Sequence, residues 1–211
     1  MKSLSRLTPF LFASVLFCSC ATTSLQKSWV SPEHKPGALR SVATVAVDER
    51  ILVRKVFEGQ LASQLEQRGL KALRSHEVMA LEDIKADRKA AAAHLREAGV
   101  QHALAVRLLD NVTYAREYRE GSSTFIPVAT GFYTDAWYSY CTVAFTDMTV
   151  TRGSMKNVLY LETSLFDLNT GHLLWRGITK TTLKEDADRL EEVRPLVTKI
   201  MEGMQKDGIL P

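Results

Sequence analysis

Histidine is scarce and scattered in this sequence of 211 residues: five, at His34, His76, His94, His102 and His172. No His-x-x-x-His or His-Glu-x-x-His pair occurs, and only His94 and His102 stand close enough in the chain to approach one another, so no metal is expected. Gly-x-Ser-x-Gly, Walker and dinucleotide glycine patterns are missing too. The letters Ser24-Leu25-Gln26-Lys27 match Ser-x-x-Lys, but the Ser-Asp-Asn and Lys-Thr-Gly companions of that chemistry are absent. Carboxylates such as Asp83, Asp87, Glu117, Glu120 and Asp135 show no spacing that marks an acid–base pair. A basic excess is lacking as well. The formal charge is +3, and Lys and Arg alternate with Glu and Asp as in Asp48-Glu49-Arg50, the pattern of solvated faces rather than of a nucleic-acid footprint. These absences lead to the expectation of a protein that is not an enzyme, holds no cofactor and binds no nucleic acid.

What is present begins at the N-terminus. Lys2 and Arg6 form a positive start, and residues 7–17 an apolar run. That run is far short of the roughly twenty residues of a spanning helix and reads as a secretory leader. It ends in Leu16-Phe17-Cys18-Ser19-Cys20, which resembles the lipobox of bacterial lipoproteins, with Ser19 before the cut and Cys20 after it. Cys18 is the rival, but it follows bulky Phe17 where a small side chain is wanted. The resemblance implies a signal peptide over residues 1–19, diacylglycerol on the Cys20 thiol and acylation of its amino group with palmitate-type chains, together a permanent tether. Ala21 is not the aspartate linked to inner-membrane retention, so an outer-membrane lipoprotein facing the periplasm is expected. Cys141 then remains as the single thiol, without an intrachain disulfide; its strand-like setting favours burial over reactivity. Loss of Lys2 and Arg6 leaves a mature charge of +1.

Residues 20–39 are polar, carry Pro32, Pro36 and Gly37, and read as a lipidated tether, with Trp29-Val30 able to pack on the domain as an extra edge. Residues 40–211 are expected to form one periplasmic α/β domain. Residues 41–47 alternate and are β-branched, apolar on both faces, which suits an inner strand. Val53, Phe57, Leu61 and Leu65 recur every fourth residue ahead of Gly69 and mark a helix. A short strand at 70–74, a helix at 88–98 with Asp87 as N-cap, and a strand at 100–109 follow. This βαβαβ start implies parallel pairing. The period then turns to two over residues 136–150, 158–167 and 173–183, with Asn169-Thr170-Gly171 as a tight turn having Gly171 at positive φ. An amphipathic helix over 188–206 closes the chain, with Pro195 as a kink or second start and Gly208 as stop. The fold class is therefore α/β (α+β): a mixed sheet, antiparallel after its parallel start, with a C-terminal helix in two layers.

The Val-rich first strand, the helix ending at Gly69, the hairpin Leu-Glu-Thr-Ser-Leu-Phe-Asp-Leu-Asn-Thr-Gly-His-Leu-Leu-Trp and the closing helix together resemble a group of small bacterial envelope lipoproteins of uncharacterised function. The element order is similar to the domain shared by the curli-secretion and penicillin-binding-protein-activator lipoproteins. That likeness supplies no functional residue.

One anomaly is compositional. Eight aromatic residues gather between Tyr114 and Tyr140, about half of the total. Neighbours such as Trp137 and Tyr138 cannot share one face of a strand. Either this is a hairpin of ordinary aromatic pairs, or Tyr133, Trp137 and Tyr138 form a partner-binding surface. The function expected is that of a membrane-anchored lipoprotein with a non-enzymatic, partner-binding periplasmic domain. The alternatives are a subunit of an envelope assembly or secretion channel, for which an oligomer is possible, and, less favoured, an envelope hydrolase.

Overall fold

The computed structural model describes residues 22–109, 158–182, 190 and 193–211. Their centre is β2 (Ser41–Val47), whose seven residues are all buried. With small or β-branched side chains at every position it can be covered on both faces. It pairs in parallel with β3 (Lys71–Arg74) on one side and β4 (His102–Leu109) on the other. The first connection is α1 (Ile51–Glu66); the second is α2 (Ser75–Val78), α3 (Leu81–Ala86) and α4 (Arg88–Glu97). Beyond β4 the pairing turns antiparallel through β5 (Val158–Asp167), β6 (Leu173–Thr182) and β1 (Thr22–Val30). The six-stranded order is β1-β6-β5-β4-β2-β3, and α5 (Val193–Lys206) closes the chain. The mixed α/β class and its parallel start are as the sequence implied. Asp87 caps α4 by accepting from the Lys89 and Ala90 amides at 2.9 Å each.

Layering departs from the expected pair. On one face Val42, Ala46, Leu104, Val106 and Leu165 meet Leu61 and Leu65 of α1 and Val197 and Ile200 of α5. On the other, Ala43, Val45, Ala103 and Ala105 meet Ile84 of α3 and Ala91, Ala92 and Leu95 of α4. Over β2 and β4 the sheet thus lies between two helical layers, three layers in all. The cause is visible in the side chains: apolar residues at both parities need cover on both sides, and alanine facing alanine lets α4 approach closely.

The expected tether over 20–39 is also corrected. Residues 22–30 are an edge strand paired with β6 from Thr22↔Thr182 to Val30↔Trp175. Trp29-Val30 pack on the domain as anticipated, and the pairing simply continues back to Thr22. An edge strand needs only one apolar face, so Ser24, Gln26 and Lys27 made it look like linker. Thr23 Oγ1 lies 3.0 Å from Thr181 Oγ1, and Leu25 sits so close to α5 that a Cβ on Gly203 would come within 2.8 Å of it.

The β5–β6 turn is as expected. Gly171 has φ +74°, its amide donates to Asp167 O at 2.8 Å, and Asp167 Oδ1 accepts from the amides of Asn169 (2.7 Å) and Thr170 (3.2 Å). Gly171→Val forces a β-branched residue into the left-handed region and should cost about 1–3 kcal/mol. A thermal midpoint equal to that of the parent would show that the turn tolerates the change.

Candidate functional site

Strand register decides which residues share an end of the sheet. Thr182 is opposite both Thr22 and Val158, Leu109 is opposite Tyr160, and Val47 is opposite Arg107. One end therefore carries the starts of β1 and β5, the ends of β2, β4 and β6, and the first turn of α1. Between α1, these strand ends and the start of α5 lies a cleft of about 90 Å³, walled by Ala46, Val53, Phe57, Val106, Leu159, Leu161, Val193 and Leu196, with Thr181 at its margin. Pockets for small-molecule ligands are commonly about 300 Å³ or more. This one has room for the tip of a single apolar group.

Its rim is polar on one side. Arg50 donates from Nε to Asp48 Oδ1 at 2.8 Å and from Nη2 to Oδ2 at 2.7 Å, a forked pair that raises the guanidinium pKa above its usual value. Beside it stand Ile51, Leu52 and Leu190, which are 51%, 66% and 39% exposed and are the large exposed hydrophobic residues among the described ones.

Two further polar clusters are buried and were not foreseen. Glu58 of α1 is fully buried. Its Oε1 accepts from the Ala46 amide (3.0 Å), Ser75 Oγ (2.8 Å) and Arg54 Nε (3.3 Å). Its Oε2 accepts from the His76 amide (2.8 Å) and faces His76 Nδ1 at 2.7 Å. The carboxylate thus joins α1 to β2 and α2. Glu162 of β5, also fully buried, accepts from Arg107 Nη2 at 3.0 Å and Ser164 Oγ at 3.3 Å, with Arg176 Nε 3.6 Å away. A helix stripe reading Arg54, Glu58, Leu61, Leu65 at four- and three-residue steps held the signal for the first cluster. Both oxygens of Glu58 accept from donors on other segments, so the carboxylate cross-links them.

The residues singled out from the sequence are dispersed. Asp83 accepts from the Ala80 amide at 2.9 Å and Asp87 caps α4, so both hold helix starts. His102 shares the sheet face of Leu104, whereas His94 lies on α4 against the opposite face, so the two are separated by the sheet. Among the described residues no three His, Cys, Asp or Glu side chains gather as metal ligands. Ser24 is bonded at 2.7 Å by Gln26 Nε2 on the edge strand. Cys20, Cys141, Tyr133, Trp137, Tyr138, Glu117, Glu120 and Asp135 lie outside the described residues.

His102 is 6% exposed, and its Nδ1 has no hydrogen-bond partner among the described residues. Burial pushes its pKa below the ordinary 6.5, against smaller upward effects of Asp167 and the Ser41 backbone. The unfolded chain then binds the proton more readily than the folded one. The neutral ring's contribution to stability is complete above about pH 6.5, is lost as the pH falls below that value, and levels off beneath the depressed folded pKa. In urea titrations across this range, His102→Gln should show a flatter pH dependence than the parent; parallel curves would exclude His102 as the titrating group.

No family model and no curated protein matches the sequence. Among solved structures, the chain is similar to the PelC dodecamer from Paraburkholderia phytofirmans at 12% identity, covering 87% of this chain and 98% of that one, with a TM-score of 0.46. A form of that dodecamer with one leucine changed to methionine gives 11% identity, 88% and 98% coverage and a TM-score of 0.44. Lipoprotein GNA1162 from Neisseria meningitidis gives 12% identity, 78% and 96% coverage and a TM-score of 0.41.

Proposed function

We propose that this chain is a bacterial envelope lipoprotein, anchored through Cys20 in the outer membrane, whose domain acts by binding a protein partner rather than by catalysis. The observation that carries the reading is the start of β1. The sheet begins at Thr22, immediately after the Ser19-Cys20-Ala21 segment, so a lipid on Cys20 is fastened to the folded domain itself.

Copies of the chain would have to associate through something other than sheet continuation at the described edges. β3 has four residues, and β1 carries a register shift between Leu25 and Lys27. Short strands, bulges and lysine are the features that blunt an edge.

Mass spectrometry of the N-terminal peptide should find acyl chains on Cys20, and Cys20→Ala should accumulate as unprocessed or mislocalised precursor. A mature N-terminus elsewhere without lipid would end the anchor reading. Crosslinking in cells should capture one envelope protein, and changing Tyr133, Trp137 and Tyr138 to serine should abolish that product at unchanged thermal stability if they form the surface. Purification of a turnover activity, with no crosslinked partner, would favour the hydrolase instead.

A further inference from the structure

Resting on the lipoprotein reading, we infer that the end of the sheet where β1 starts faces and touches the bilayer, with Ile51, Leu52 and Leu190 entering the headgroup–acyl boundary. Three independent features meet at this end. The first is reach. Only Ala21 separates Cys20 from Thr22, and consecutive Cα atoms are about 3.8 Å apart, so the lipidated residue lies at most about 8 Å from the first paired residue of the sheet. A domain held that closely cannot stand off the membrane.

The second is polarity. The large exposed hydrophobic residues among the described ones, Ile51, Leu52 and Leu190, all belong to this same end. None is at the opposite end, where Asn169 and Thr170 form the β5–β6 turn. Scattered single exposures are ordinary, but concentration on one end next to an anchor is the arrangement that apolar contact with lipid requires.

The third is charge. Among the described residues, the acids nearest Ile51 and Leu52 are paired: Asp48 with Arg50, at 2.7 Å, and Glu49 with Lys85, at 3.2 Å. The described carboxylates beside Ile51 and Leu52 therefore approach the acyl boundary together with a cation. The cleft lies at the same end, with Leu190 in its wall.

The test uses the full chain, processed in cells and reconstituted in phosphatidylethanolamine–phosphatidylglycerol vesicles, with Cys141→Ser removing the remaining thiol. An environment-sensitive fluorophore is placed at Leu52→Cys, at Leu190→Cys or, at the far end, at Asn169→Cys. β5 spans ten residues, so the two ends are on the order of 30 Å apart. Apolar faces at an interface sit about 5–10 Å into the boundary, so lipid-borne nitroxides should quench the first two probes roughly threefold or more over the third. Ile51→Ser with Leu52→Ser should bring quenching at the Leu190 probe down toward that of Asn169, while Cys20 remains acylated.

Acylated Cys20 with equal, weak quenching at Leu52 and Asn169 overturns the inference and leaves the lipoprotein reading intact. Weak quenching, with disulfide crosslinks between copies of the unlabelled Leu52→Cys protein on addition of an oxidant, overturns it too, and makes this end an interface between copies. A mature chain without lipid on Cys20 overturns both readings together.

Discussion

Glu58→Ala should lower the unfolding free energy by about 3–5 kcal/mol, because it strips a buried cluster of its carboxylate while leaving the donors in place. Arg54 is then a buried cation facing Ser75, to which its Nη2 donates at 2.9 Å, and the Ala46 and His76 amides lose their acceptor. Arg54 is 2% exposed, so water reaches it poorly. At about 2–4 °C per kcal/mol for a domain of this size, the thermal midpoint should fall by roughly 10 °C. Glu58→Gln keeps the shape but turns an amide NH₂ toward one of the two donor groups, and about 2–3 kcal/mol is expected. Adding Arg54→Met to Glu58→Ala should recover part of the loss, since the stranded charge leaves with its partner. A midpoint for Glu58→Ala within about 2 °C of the parent would mean that solvent or a rearranged Arg54 satisfies the cluster, and the cross-link between α1, β2 and α2 would not be a stabilising one.

Much of the architecture was legible in the sequence because it depends on local periodicity. β2 and β4 announce themselves by β-branched and small apolar residues, α4 by Asp87 and its alanines, and the β5–β6 hairpin by Asn169-Thr170-Gly171 between alternating runs. β1 was less so, because an edge strand repays only one apolar face and Ser24, Gln26, Lys27 and Ser28 dilute its pattern. Its pairing with β6 is a long-range fact, fixed by Thr23 against Thr181 and Leu25 against Gly203, which no local window contains. The third layer followed from the same blindness: α2 and α3 are four and six residues long, below the length at which helical periodicity can be read. The buried glutamates were hidden for a chemical reason. Charged residues are normally solvated, and only the arrival of Ser75, His76 and Arg107 from distant segments makes burial of Glu58 and Glu162 tolerable. The apolar end of the sheet was equally hidden, since Ile51, Leu52 and Leu190 look like core residues until the fold leaves them outside.

The second large effect is expected at Trp175 and Gly177, one pleat apart on the same face of β6. Trp175 is fully buried, and its Nε1 donates to Asp207 Oδ2 at 2.8 Å, fastening the sheet to the residue just beyond α5. Its ring lies flat over Gly177: a Cβ there would come within 2.3 Å of Cη2 and 2.7 Å of Cζ2. The glycine is needed for this close approach, not for its backbone angles. Trp175→Ala should therefore cost about 3–5 kcal/mol, through the cavity and the lost partner of Asp207. Gly177→Ala should cost about 1–3 kcal/mol, because a ring enclosed by α5 has no free space into which to move. The two costs must not add. Once the ring is gone, the alanine methyl at 177 meets no obstacle and fills part of the cavity, so the double variant should be more stable than the sum of the single losses by about 1–3 kcal/mol. Urea unfolding of the parent, both single variants and the double variant measures this coupling directly. Additivity within about 0.5 kcal/mol would show that the ring does not rest on Gly177 in solution, and that the glycine serves strand geometry instead.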